Sequence, residues 1–164
     1  MQITNFRELY IAELQELADV EEQLADVLRR ATEAASHPDL KGSLLHHHGE
    51  TLAQKRRLQS ILQRHRADPG AHTDQAMQAL IGETEKMLDM LKGKELRDAG
   101  LIASLQRLEH YEIAAYGTAC ALAGQLGLRD EQRLLHESLD EEKKADAKLT
   151  ELAKRSVNAQ ARAA

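Results

Sequence analysis

A chain of 164 residues, 42% of them hydrophobic, is long enough to bury a substantial core within one domain. That core must be aliphatic: one Phe, three Tyr and no Trp stand among abundant Leu, Ala, Glu, Gln, Lys and Arg, a helix-forming composition that argues against a sheet. The formal net charge of -5, with Lys and Arg only in short runs such as Lys55-Arg56-Arg57, argues against nucleic acid as a partner.

Asn5, with Glu8 three residues later, predicts the start of a first helix on which Leu9, Leu14, Leu17, Leu24 and Leu28 recur to about Ser36. His37-Pro38 interrupts it. Asp39 is the expected cap of a second helix, which runs through Leu44, Leu58, Ile61 and Leu62 and is stopped by Ala67-Asp68-Pro69-Gly70. A shorter helix is expected from Thr73 to about Leu91, ending at Lys92-Gly93. A long helix follows from about Arg97 to Leu126, with Gly127 as its C-terminal cap, and Asp130 opens a last one to about Arg155. Residues 1–157 are thus expected to form one domain, with 158–164 as a frayed tail.

These elements predict an all-α fold, a four-helix bundle of two hairpins with the short helix inside a long crossover. The connection of residues 68–96 is long enough to let the second long helix and the third run parallel. No apolar run is long enough to span a membrane and the N-terminus lacks a signal-peptide core, so no membrane association and a cytoplasmic location are expected. Cys120, the only cysteine, cannot close an internal disulfide and is expected to be packed rather than reactive.

Carboxylates interrupt the leucine stripes. On the first helix Leu14, Leu17, Glu21, Leu24 and Leu28 share a face; on the long helix after the crossover Leu105, Leu108, Glu112, Ala115 and Ala119 do. The two stripes superimpose at one offset, since 105 − 14, 108 − 17 and 112 − 21 all equal 91. Glu50 and Glu142 are separated by 142 − 50 = 92, as are Gln54 and Asp146, which suggests two equivalent hairpins, each supplying carboxylates to the centre. Glu142 lies on the stripe Leu135, Leu139, Ala145, Leu149, Leu152. On the second helix two neighbouring stripes compete, one carrying His47, Glu50, Gln54 and Ile61, the other Leu44, His48, Thr51 and Leu58. Four inward carboxylates repel one another unless protons or cations lie between them, and two divalent ions would neutralise them. Hard oxygen donors with few imidazoles favour iron or manganese over a thiolate-type zinc site, with zinc still able to occupy it.

The order LYIAELQELADVEEQL, HHHGETLAQKRRL, EHYEIAAYGT, LLHESLDEEKKADAKLTELA resembles the YciE/YciF stress-protein family of the ferritin-like superfamily over almost the whole chain. The resemblance implies a ferritin-like bundle, a homodimer, a di-metal carboxylate site of which iron is the foremost occupant, and a stress-associated role with no established reaction. By motif position it implies Glu21, His47, Glu50, Glu112, Glu142 and Asp146 as metal ligands. Ala53 and Ala145 stand where the superfamily's Glu-x-x-His motif would place histidines, so the ligand set is richer in oxygen. Dioxygen or peroxide is the small-molecule partner if the site is redox-active. Two roles are left open for Glu109, one turn before Glu112: support from outside the ligand set, or exposure. The competing reading is a metal-free helical structural or interaction protein, also homodimeric, whose inward carboxylates are protonated or paired with Lys or Arg. The charge-free stretch of residues 113–126 is apolar on all sides and is expected to be covered by the crossover helix or a second subunit.

Overall fold

The computed structural model describes residues 2–164. Helix α1 spans Phe6–Ala34; Asn5 Oδ1 caps it by accepting from Glu8 N at 3.0 Å, and Glu8 reaches back to Thr4. Helix α2 spans Pro38–Arg64, with Pro38 at the first position, where a missing N–H costs nothing. Its cap is His37 rather than the expected Asp39, and no side chain of its own caps it. The cap is supplied from elsewhere: the buried Asp98 carboxylate accepts from Ser36 N and His37 N, both at 2.8 Å.

Helix α3 (Gln75–Met90) lies within the crossover, capped by Asp74 Oδ1 on Met77 N at 2.7 Å. Helix α4 (Lys94–Gln125) begins three residues before the expected Arg97, after Gly93 at φ +88°. Helix α5 (Arg129–Leu152) continues through a π turn, Ala153–Val157, into α6, Asn158–Ala163. The segment 158–164 expected to fray is therefore helical up to Ala163, anchored by the buried Leu152 and Val157.

α1 packs along α2 and α4 along α5, while α1 also meets α4 and α2 meets α5. The parallel course of α2 and α4 follows from the contacts at their ends. Asp98 at the start of α4 meets the start of α2, whereas His65, just after α2, meets Glu131 at the start of α5, beyond the end of α4. α3 leans on α4 and α1 through Met77, Leu80, Ile81 and Leu88. This is the ferritin-like four-helix bundle with a short fifth helix in a long crossover.

The apolar interior is split in two. One cluster (Leu24, Leu28, Leu40, Leu44, Leu101, Leu105, Leu108, Leu149, Leu152) fills the end near the α1–α2 turn, and the other (Tyr10, Leu14, Leu17, Leu58, Ile61, Leu62, Tyr116, Leu135, Leu139) fills the opposite end. Between them lies a polar layer.

Candidate metal centre

Every long helix contributes to the layer. α1 supplies Glu21, α2 His47, Thr51 and Gln54, α4 Glu109, Glu112 and Tyr116, and α5 Glu142, none more than 5% exposed. They sit there because each takes a position in a stripe whose flanking turns are Leu, Tyr or Ala, so packing the leucines drags the acids inside.

One ligand atom each of His47, Glu109, Glu112 and Glu142 lies within 4.8 Å of the others. His47 Nε2 is 3.1 Å from Glu109 Oε2 and 3.4 Å from Glu142 Oε2, without the alignment of a hydrogen bond to either. Glu21 Oε2, Glu109 Oε2, both oxygens of Glu112 and Glu142 Oε2 are buried and unpartnered. The opposite oxygens are tied down: Tyr116 donates its phenol proton to Glu21 Oε1, and Gln54 Nε2 donates to Glu142 Oε1. Among the described residues, no Lys or Arg forms an ion pair with any of these four acids; Lys55 is drawn instead to Glu22 on the surface.

The electrostatics are those of an uncompensated cluster. Burial, then the neighbouring carboxylates Glu142, Glu21 and Glu109, push Glu112 well above the usual carboxylate range. Burial likewise raises Glu142 well above it, against the opposing charge of His47, and carries Glu21 to about 8 in spite of the Tyr116 hydrogen bond. For His47 burial alone favours the neutral ring, but Glu109, Glu50 and Glu142 outweigh it and raise its pKa well above the usual value. Without a cation the cluster must hold protons. A divalent ion would replace them, and the aimed, unpartnered oxygens and nitrogen fit one.

Three of the six expected ligands, His47, Glu112 and Glu142, converge here, with Glu21 beside them. Glu50 and Asp146 do not. Glu50 is partly exposed and turns its oxygens to His47 Nδ1 and His46 Nε2, each at 3.3 Å; the hydrogen bond from His47 holds its carboxyl below the usual range. Asp146, one turn beyond Glu142, faces outward, accepting from Gln106 Nε2 at 2.8 Å and lying 3.4 Å from the exposed His110. The inward face of α2 runs between the two stripes that competed in the sequence, through Leu44, His47, Thr51, Gln54 and Leu58, leaving Glu50 on its edge. Glu109 is the residue the stripe reading undervalued. It extends a second line of inward positions on α4, Leu101, Leu105, Glu109, Glu112 and Tyr116, visible in the sequence only if Ala115 is demoted.

A helical bundle with a long crossover and a buried carboxylate–histidine layer is the class these features define. Its particular family is shown by comparison: residues 5–162 match the family model described as Domain of unknown function (DUF892). The chain belongs to that family, the YciE/YciF stress-protein family. It is 36% identical to protein YciF of Escherichia coli (strain K12) over 165 residues, covering 98% of each chain. The crystal structure of that stress protein superimposes with a TM-score of 0.89 over 95% of this chain and 99% of the other. YcfI from Rhodopseudomonas palustris, 34% identical, gives 0.87 over 91% and 95%. A Xanthomonas campestris protein, 19% identical, shares the fold with a TM-score of 0.80 over 97% and 98%.

Proposed function

We propose that this chain is a metal-binding, stress-associated bundle that holds two divalent cations, iron foremost and manganese or zinc as alternatives, in the layer between its two apolar clusters. His47, Glu109, Glu112 and Glu142 would hold one ion, and Glu21, buried beside them, would serve the second. The observation that carries this reading is the convergence of His47, Glu109, Glu112 and Glu142, within a layer that holds five buried, unpartnered carboxylate oxygens and no Lys or Arg among the described residues. The metal-free alternative required Lys or Arg partners or stable protonation, and the first is absent among the described residues.

If iron is bound, it supplies one-electron chemistry toward dioxygen or peroxide. The chain itself excludes water with leucines above and below, keeps Nε2 of His47 directed inward, and fixes Glu142 and Glu21 through Gln54 and Tyr116. Two copies of the chain pair, and the uncharged strip Ala114, Thr118 and Ala121, exposed on α4 and left uncovered by α3, supports this.

Elemental analysis of protein purified without chelator or nickel resin tests the metal reading. About two equivalents are expected, falling sharply in Glu112→Gln and Glu142→Gln, with a lower Tm after chelation. Negligible metal in the wild type together with a Tm indifferent to chelator would sink it.

A further inference from the structure

The buried layer raises a question of access, and the His46-His47-His48 run, of which the proposed centre uses only the middle ring, bears on it. His47 uses both ring nitrogens: Nε2 faces the buried acids, while Nδ1 lies 3.3 Å from Glu50 Oε2. The other oxygen of Glu50 is 3.3 Å from Nε2 of His46, whose side chain is 77% exposed. A continuous line of donors thus leads from solvent through His46 and Glu50 to His47.

Other solvent-open carboxylates around the layer are tied to side chains outside it. Glu141 is gripped by Arg57 at 2.6 and 2.9 Å, and Glu22 by Lys55. Asp146 is held by the Gln106 amide and by His110, and has no bond to a layer residue. Glu50 alone combines partial exposure, direct contact with a layer residue, and no Lys or Arg partner.

Resting on the metal-centre reading above, we infer that the His46–Glu50 pair is the cation entry site, which captures a divalent ion at the surface and passes it across His47 to the buried carboxylates. A part-exposed carboxylate held only by imidazoles, with no Lys or Arg fixed to it, can exchange those partners for a cation, and ligand exchange at Glu50 sheds the ion's water before the apolar layers close around it. The remaining two histidines then differ in role: His46 assists capture, and His48, half-buried on the other edge of α2, does not.

Uptake of cobalt(II) by the chelator-treated full chain, followed by stopped-flow absorbance, tests this. Glu50→Gln and His46→Gln are expected to slow uptake about tenfold or more, with wild-type equivalents bound at saturation and the far-UV circular dichroism of wild type, whereas Asp146→Asn leaves the rate unchanged. An unchanged rate in Glu50→Gln overturns the inference, as does a loss of bound equivalents in that variant, which would make Glu50 a holder of the ion rather than its port. A wild type that binds no cobalt at all would instead overturn the metal-centre reading.

Discussion

Glu142 shows how much of this protein is decided by single side chains. One of its oxygens is satisfied by Gln54, the other faces His47 across 3.4 Å, and it is fully buried among acids of the same sign. The resulting pKa shifts fix a sign for the pH dependence of the metal-free chain. Glu21 rises from an ordinary 4.5 to about 8, and Glu112 and Glu142 move the same way, so folding favours their protonated forms. That contribution is complete below about pH 4.5 and is lost as pH climbs through the folded values. His47, raised above its ordinary 6.5, has the same sign, its contribution being lost on the alkaline side. Glu50, lowered, opposes only at the acid end. The Tm of chelated protein is therefore expected to fall from about pH 5 to about pH 9, while the metal-loaded protein, in which cations stand in for the protons, stays level. Circular dichroism melts across that range decide it, and a Tm of chelated protein rising with pH would be incompatible with the cluster as described.

Among the helices, α2 and α4, which end on the same side of the bundle, make an internal comparison. α4 closes with Leu128 N on Ala123 O at 3.0 Å and Gly127 N on Gly124 O at 3.1 Å, Gly127 sitting at φ +71°. α2 closes with the same pair of bonds, Ala67 N on Leu62 O and Arg66 N on Gln63 O, both at 3.0 Å, but with Arg66 at φ +55°. A Cβ in this left-handed region costs roughly 1–2 kcal/mol, which glycine avoids. Gly127→Ala is expected to lose about 1 kcal/mol and Arg66→Gly to gain up to about 1 kcal/mol. Urea titrations read both, and equal signs would refute the shared geometry. Gly127 as a stop was evident from the sequence. Arg66 was not, because nothing about arginine announces a left-handed turn; the Pro69-Gly70 pair marked only that the helix ends nearby.

For the molecule as a whole, the split core explains a design in which stability and binding compete. Two leucine clusters hold a layer that is unfavourable when empty of positive charge, so occupancy by cations would couple directly to folding. Among the described residues no helix is long and apolar enough to cross a membrane. The exposed strip Ala114, Thr118 and Ala121 interrupts a surface otherwise rich in Glu, Lys and Arg, and pairing of two chains would account for it. Sedimentation equilibrium is expected to return about twice the 18.3 kDa chain mass, and a monomer at micromolar concentration would remove the dimer from the account.

The sequence by itself determined the helices, the crossover and the inward direction of Glu21, Glu112 and Glu142, because a glutamate at a leucine position must follow its neighbours into the core. Tertiary structure decided the rest. On α2 two stripes lay 100° apart with similar polarity, and only the packing of α1 and α5 against their common edge turned His47 and Gln54 inward and left Glu50 at the rim. Glu109 was brought into the layer and Asp146 left outside it for the same reason: a helix face is defined by what covers it, and the chain order says nothing of how far each helix is rotated about its own axis.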